Sequence, residues 1–231
     1  MVILTGDTHG RFDRIEDFCA EYDTTTEDIM IILGDAGINY WLDERDEELK
    51  ARLSQLPITL FCIHGNHEER PEEVPGYDLT EWQGGQVWAQ PEYPNLLFAE
   101  DGEIYDFNGR KAIAIGGAYS VDKFYRIAAG APWFPTEQPD GHIKQRVEHT
   151  LERMDWRVDY VLSHTVPLSA MPRHAFLPAL DQSMVDNSTE KWLEKLQQKL
   201  TYERWFAGHF HVTWGLDRIQ ILFEDYEFLE C

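Results

Sequence analysis

The chain carries 231 residues, with 20 Lys plus Arg against 42 Asp plus Glu and a formal net charge of −22. Its 43% apolar residues suffice for a sizeable core, which excludes a disordered or low-complexity chain. So strong a deficit of cations argues against nucleic-acid polymers and anionic membrane surfaces as partners, since both are gripped through Lys and Arg clusters. Three cysteines, Cys19, Cys62 and Cys231, are scattered without a paired motif, the usage of a reducing compartment. Apolar runs stop at about five residues, as at 29–33, where a spanning helix needs roughly 20. With no basic leader before Asp7, a soluble cytoplasmic protein without membrane contact is expected.

In chain order, short buried runs alternate with amphipathic stretches. A strand is predicted over 2–4, a helix over 12–22 with Phe12, Ile15, Phe18 and Cys19 on one face, and a second strand over 28–33. The next helix, 43–56, has Leu49, Leu53 and Leu56 at helical spacing and carboxylates in its first turn, where the dipole favours them. Its acidic run 43–48 reads as a solvated helix start. Pro57 ends it, and a third strand follows over 58–63. Strand-like pieces at 87–89, 96–99, 104–107 and 112–115 come next. Asp101-Gly102 and Asn108-Gly109 between them are hairpin signals, so this block is expected to be largely antiparallel.

A long aromatic and Pro-rich irregular stretch is predicted over 119–140, and loops of that length tend to be functional. Helices over 143–154 and 189–200 flank a strand at 160–162 and a second Pro-rich loop at 165–186, with Asn187 or Ser188 as cap. Strands at 205–206, 211–216 and 219–223 finish the pattern, the last two as a hairpin around Asp217-Arg218. With no repeat and no linker, one domain over 1–231 is expected, two sheets with helices outside.

The informative polar residues sit where those strands end. Asp7 and His9 follow the first, Asp35 the second, Asn66 and His67 the third, His164 the strand at 160–162, and His209 and His211 the strand at 205–206. Strand ends in an α/β sheet line one crevice, where ligands bind. Singly each residue has a plainer reading, Asp7 and Asn66 as turn residues and His164 as a structural histidine. The His-x-His of 209–211 is read as an extended segment whose two imidazoles point the same way. Five of the nine histidines, two aspartates and one asparagine at strand ends, mostly beside Gly, make a joint pattern that turns alone do not produce. Imidazole nitrogens with carboxylate and amide oxygens suit Mn, Fe, Zn or Ni, Mn being favoured, and seven ligands are too many for one ion. Two ions sharing a carboxylate, about 3.5–4 Å apart, form a device for phosphoryl chemistry.

The ordered blocks Gly-Asp-Thr-His-Gly (6–10), Gly-Asp (34–35), Gly-Asn-His-Glu (65–68), His164 and Gly-His-Phe-His (208–211) resemble the calcineurin-like metallophosphoesterase superfamily. The resemblance implies an α/β fold, a four-layer α-β-β-α sandwich with two mixed β-sheets flanked by helices. It also implies two metal ions, one held by Asp7, His9 and His211, the other by Asn66, His164 and His209, with Asp35 bridging. In that scheme a metal-bridging hydroxide attacks phosphorus and His67 is the acid that serves the leaving oxygen.

Departures from the family concern substrate more than reaction. Where the phosphoprotein-phosphatase branch has an acid, an arginine and a second arginine, this chain has Ile38, Asn39 and His64. The carboxylate that orients the catalytic histidine and both phosphate-gripping arginines are therefore missing, which speaks against a typical protein phosphatase. His9, where the RNA-debranching branch usually has Cys, speaks against that branch. His64, Lys123 and Arg126 are candidate replacements for the phosphate clamp. The loops 119–142 and 165–187 are candidate site walls, the second with Arg173 and His174. A small phosphorylated substrate is expected, because a polyanion is repelled by this surface. The rival readings are a nucleotide or cyclic-nucleotide phosphodiesterase with Trp133 or Tyr125 stacking a base, and a non-catalytic metal-binding scaffold. Cys19 and Cys62 read as buried fillers.

Overall fold

The computed structural model describes residues 1–176 and 181–229; positions 177–180 of the loop expected at 165–187, and the last two residues with Cys231, lie outside them. The first half runs β1 (Val2–Thr5), α1 (Asp13–Tyr22), β2 (Ile29–Ile32), α2 (Glu44–Leu53), β3 (Thr59–Cys62), β4 (Asp78–Trp82), β5 (Gly85–Ala89) and β6 (Leu96–Ala99). The second runs β7 (Ile104–Phe107), β8 (Arg110–Ile115), α3 (Lys123–Ala129), α4 (Gly141–Arg153), β9 (Tyr160–Ser163), α5 (Ser188–Gln197), β10 (Arg204–Ala207), β11 (Trp214–Leu216), β12 (Ile219–Ile221) and β13 (Tyr226–Phe228).

Two mixed sheets form, in strand order β13-β1-β2-β3-β6-β5-β4 and β11-β12-β10-β9-β8-β7. Alternation of side chains along each strand divides the core into layers. Leu4, Ile31 and Phe61 point into the interface between the sheets, where they meet Ala114, Leu162 and Phe206 of the second sheet. The intervening residues Ile3, Met30 and Leu60 face Phe12, Ile15 and Phe18 of the α1 side. On the far side Ile113, Val161 and Trp205 meet Val147 and Leu151 of α4 and Trp192 and Leu196 of α5. The result is the expected α-β-β-α sandwich. Strands covered on both faces explain why β1, β2 and β3 read as unbroken apolar runs.

Three local expectations are corrected. The stretch at 119–140 is not irregular throughout, because α3 occupies part of it and ends on Gly130 in the left-handed conformation at φ 68°. Phe124, Tyr125 and Ile127 of α3 are exposed, so no buried stripe announced a helix. Asp101-Gly102 makes no hairpin; it carries the chain from β6 of the first sheet to β7 of the second. Asn108-Gly109 does close the β7–β8 hairpin, with φ of 56° and 86°. The acidic start of α2 is only partly solvated: Asp46 is buried and its Oδ2 accepts from the backbone N–H groups of Trp41 and Leu42. The edge strand β4 was missed because its side chains are mostly exposed and show no inward alternation. Cys19 and Cys62 are buried and free, as expected.

Candidate metal centre

The parallel strands β1, β2 and β3 of one sheet and β9 and β10 of the other deliver their C-terminal turns to one place. Asp7 Oδ2 lies 3.2 Å from His211 Nε2 and 3.7 Å from His9 Nε2, and the two imidazole nitrogens are 2.9 Å apart. Asp35 Oδ2 is 3.8 Å from His9 Nε2, and its Oδ1 is 3.6 Å from His164 Nε2. Asn66 Oδ1 lies 2.8 Å from the same His164 nitrogen, and the His209 ring centroid is 5.0 Å from that of His164. All seven expected ligands therefore gather in one crevice. Two groups have ligand atoms close enough for one ion, Asp7 with His9 and His211, and Asp7 with Asp35 and His164.

Small backbone at the neighbouring positions makes this packing possible. A Cβ on Gly65 would overlap the Asp35 carboxylate, one on Gly34 the His164 ring, and one on Gly208 both Asp7 Oδ1 and the Leu33 carbonyl. Glycines beside the ligands thus make room for ligands arriving from other strands. Gly208→Ala is expected to displace Asp7 and weaken Mn binding by about 10-fold to 100-fold, comparable to loss of a residue that orients ligands. Calorimetric titration with Mn checks this, and unchanged affinity would contradict it.

The extended reading of the segment 209–211 is corrected. His209 and His211 both sit at positive φ, 72° and 49°, as do His9 and Asp35 at 48° and 49°. Strained backbone, not strand alternation, aims the two imidazoles, and such strain gathers at functional sites.

Protonation states can be read from the hydrogen bonds. His164 Nδ1 lies 2.8 Å from the Leu33 carbonyl, which can only accept, so Nδ1 carries a proton, and in the neutral ring Nε2 then presents a lone pair. That lone pair faces Asn66 Oδ1, whose own amide nitrogen donates to Ser120 Oγ at 3.0 Å. A separation of 2.8 Å between these two atoms is satisfied either by a proton on Nε2 or by a cation that both atoms share. Asp7 Oδ2 is buried, with the His211 ring nitrogen as its neighbour at 3.2 Å. Burial opposes ionisation of Asp35, yet the fields of His164, His67 and His9 hold its carboxyl well below the usual range. Burial, followed by the field of His164, pushes His209 down to about 3, so it is neutral and available as a ligand. A neutral His209, carboxylates held ionised and further imidazole nitrogens beside them make a donor set of the kind a divalent ion takes, and the residues fit it.

Around this cluster lie residues to which the sequence assigned no role. Glu68 is buried, and its two oxygens accept from the backbone N–H groups of Gly65 and Gly37, tying the turns after β3 and β2 together. Asp122 Oδ1 is 3.8 Å from His67 Nε2, a carboxylate from the start of α3 beside the histidine whose usual acidic partner is missing. Ser120, which holds Asn66, is in turn held by Arg126 Nη1 at 3.2 Å.

The expected clamp residues stand elsewhere. His64 is 3% exposed and lies behind the ligands, and Arg126, also 3% exposed, donates from Nη1 to Ser120 and from Nε to the Pro132 carbonyl, with its buried Nη2 left over. Lys123 Nζ sits 3.9 Å over the Trp133 ring. None of the three lines either cavity beside the cluster. Arg126 and Lys123 belong to α3, whose exposed face is apolar and whose polar side turns inward, and His64 lies in the buried turn after β3. Tyr125 is exposed and Trp133 is covered by Lys123, so base stacking by either has no support in their positions. Arg173 and His174 also stay off the cavity walls, His174 packing on Trp214 with ring centroids 5.6 Å apart.

Two clefts open on the cluster. The larger, about 590 Å³, is bordered by Asp35, Asn66, His67, His209 and His211. The smaller, about 400 Å³, is bordered by His9, His67, Tyr40, Trp41 and Arg45. No helix among the described residues is long and apolar enough to cross a membrane.

Comparison with known proteins gives concordant results. An uncharacterized protein of Haemophilus influenzae is 26% identical over 139 residues, which make up 60% of this chain and 48% of that protein, so the match spans about half the relative's length. The crystal structure of TT1561 of Thermus thermophilus is similar at a TM-score of 0.51 and 12% identity, covering 96% of this chain and 87% of that one. A second crystal structure matches at a TM-score of 0.51 and 14% identity, covering 96% and 88%. At such identities these two speak for the fold alone. The family model of the calcineurin-like phosphoesterases matches residues 1–213, and the chain belongs to that family.

Proposed function

We propose that this protein hydrolyses a small phosphate ester with two divalent transition-metal ions, Mn first among Mn, Fe, Zn and Ni. Asp7, His9 and His211 hold one ion, Asn66, His164 and His209 the other, and Asp35 is shared. The observation that supports the reading is the convergence of ligand atoms in one buried crevice, Asp7 with His9 and His211 and Asp7 with Asp35 and His164, with Asn66 Oδ1 2.8 Å from His164 Nε2. When bound, the ions supply positive charge for the phosphate oxygens and lower the pKa of a water.

The chain's own residues do the rest. Asp35 offers two carboxylate oxygens between the ligand groups, and its Oδ1 also accepts from the His67 N–H at 2.7 Å, so the position of His67 is coupled to the shared ligand. Asn66 contributes an uncharged oxygen, which leaves more positive charge for the phosphate. His67 borders both clefts and delivers a proton to the leaving oxygen. Asp122 faces His67 from α3 and takes over the orienting task of the missing family carboxylate.

The test is metal-dependent turnover of p-nitrophenyl phosphate and bis-p-nitrophenyl phosphate. Mn-loaded protein is expected to hydrolyse at least one of them, to lose the activity to a chelator and to regain it on adding Mn. The two rates together decide between mono- and diester. Failure with both esters under Mn, Fe, Zn and Ni would overturn the proposal and favour a binding scaffold.

A further inference from the structure

The larger cleft has a lining of one chemical kind. Its walls include the apolar side chains of Val121, Met171, Phe176 and Phe210. Phe176 and Phe210 stack with centroids 6.2 Å apart and planes at 12°. The charged groups beyond the metal cluster are the carboxylates of Asp122, Asp186 and Glu190, and no Lys or Arg lines the cleft among the described residues.

Three acceptors on these walls are buried without a hydrogen-bond donor; one, Asp122 Oδ1, has the His67 Nε2 and Arg126 Nη1 nitrogens at 3.8 Å, and the other two face no such cation. Glu190 is 3% exposed. Its Oε1 takes the Thr165 hydroxyl at 2.9 Å, while Oε2 is buried without a hydrogen-bond partner. Asn187 stands at the N-cap of α5, yet its side chain caps nothing and its Oδ1 is also buried and unpartnered. A buried acceptor without a donor is costly, so a ligand that brings donors or positive charge is favoured here. Asp186 is occupied by Ser188 and Gln138 and contributes its field alone. Arg126 lies 3.8 Å from Asp122, but Glu190 has no ion-pair partner among the described residues, and aromatic faces beside such a carboxylate are surroundings an ammonium group prefers.

Resting on the phosphoesterase reading above, we infer that this cleft receives the organic arm of the phosphate ester and that the arm is a cation on an apolar body, the ester of an amino alcohol. An uncharged arm leaves Glu190 Oε2 unmet. An anionic arm meets Asp122, Asp186 and Glu190 at once. Burial raises the pKa of Glu190, and a bound ammonium reverses that by stabilising the carboxylate.

A matched set of p-nitrophenyl phosphodiesters tests the assignment, the second arm being choline, its uncharged isostere 3,3-dimethylbutyl, or 3-carboxypropyl. With Mn-loaded protein, kcat/KM is expected to be highest for choline, at least about tenfold above the uncharged ester, and lowest for the carboxylate. Glu190→Gln keeps an acceptor for Thr165 and removes the charge, and is expected to bring the choline and dimethylbutyl esters within about twofold of each other. Should that variant not fold, Asn187→Ala removes the second acceptor and is expected to lower the same ratio. Equal or faster hydrolysis of the uncharged ester by the wild type, or a ratio unchanged in the variants, overturns the assignment. Calorimetry with butyltrimethylammonium and with 3,3-dimethylbutan-1-ol reads the cleft apart from catalysis. Cation binding that Glu190→Gln abolishes supports the cleft even where no diester is turned over, and the phosphoesterase reading falls separately, on failure with both the mono- and the diester under all four metals. No preference for the cation overturns the cleft.

Discussion

Asp35→Asn is expected to cut metal-dependent hydrolysis on the order of 10³-fold or more and to lose at least one ion, while the protein stays folded. The reasoning starts from what Asn can keep. The Asp35 Oδ1 contact with the His67 N–H at 2.7 Å needs only an acceptor, which an amide oxygen supplies, so the local turn survives. What disappears is the negative charge that His164, His67 and His9 surround. An amide also has a single acceptor oxygen, so it cannot present one oxygen to each ligand group. Metal content by mass spectrometry, far-ultraviolet circular dichroism and turnover of p-nitrophenyl esters measure the three quantities separately. Two retained equivalents of Mn with near wild-type turnover would show that Asp35 is not the shared ligand.

His67→Ala is expected to keep both ions and lose roughly 10²–10⁴-fold in rate, the range for a positioned proton donor. His67 stands apart from the ligand groups, with its Nε2 facing Asp122 at 3.8 Å and its ring edge-on to His9 at 5.1 Å between centroids. Its removal therefore leaves Asp7, Asp35, Asn66, His164, His209 and His211 in place. The size of the loss should depend on the leaving group. p-Nitrophenolate departs without a proton, so its ester should suffer least, and esters of simple alkyl alcohols should suffer most. Loss of metal in this variant, or an equal loss across leaving groups, would remove the acid from the account.

The fold and the gathering of the candidate ligands in one crevice were legible in the sequence because β1, β2, β3, β9 and β10 are short, buried and parallel, so apolar runs mark them and polar residues sit in the turns beyond. Asp7, Asp35, Asn66 and His164 each had a plainer reading alone, and their joint placement at strand ends singled them out. His209 and His211 were found for an incomplete reason, because strained backbone at positive φ aims them, and no residue pattern announces a positive φ at histidine.

What stayed hidden depends on contacts between segments distant in sequence. Asp122 reaches His67 across a separation set by α3, whose apolar residues face outward and gave no periodic signal. Glu68 lay inside a recognised block but shows its purpose only when Gly37 and Gly65 are seen on its two oxygens. Arg126 and Lys123 were chosen for charge, and charge alone does not tell a substrate contact from a bond to Ser120 or a cover over Trp133.

The central claim is that two ions lie in the crevice that the seven ligands share. Anomalous diffraction from crystals of the Mn-loaded protein tests it most directly. The account predicts two peaks about 3.5–4 Å apart, one among Asp7, His9 and His211 and one among Asn66, His164 and His209, with Asp35 touching both. A single peak, or none in the crevice at saturating Mn, would contradict it.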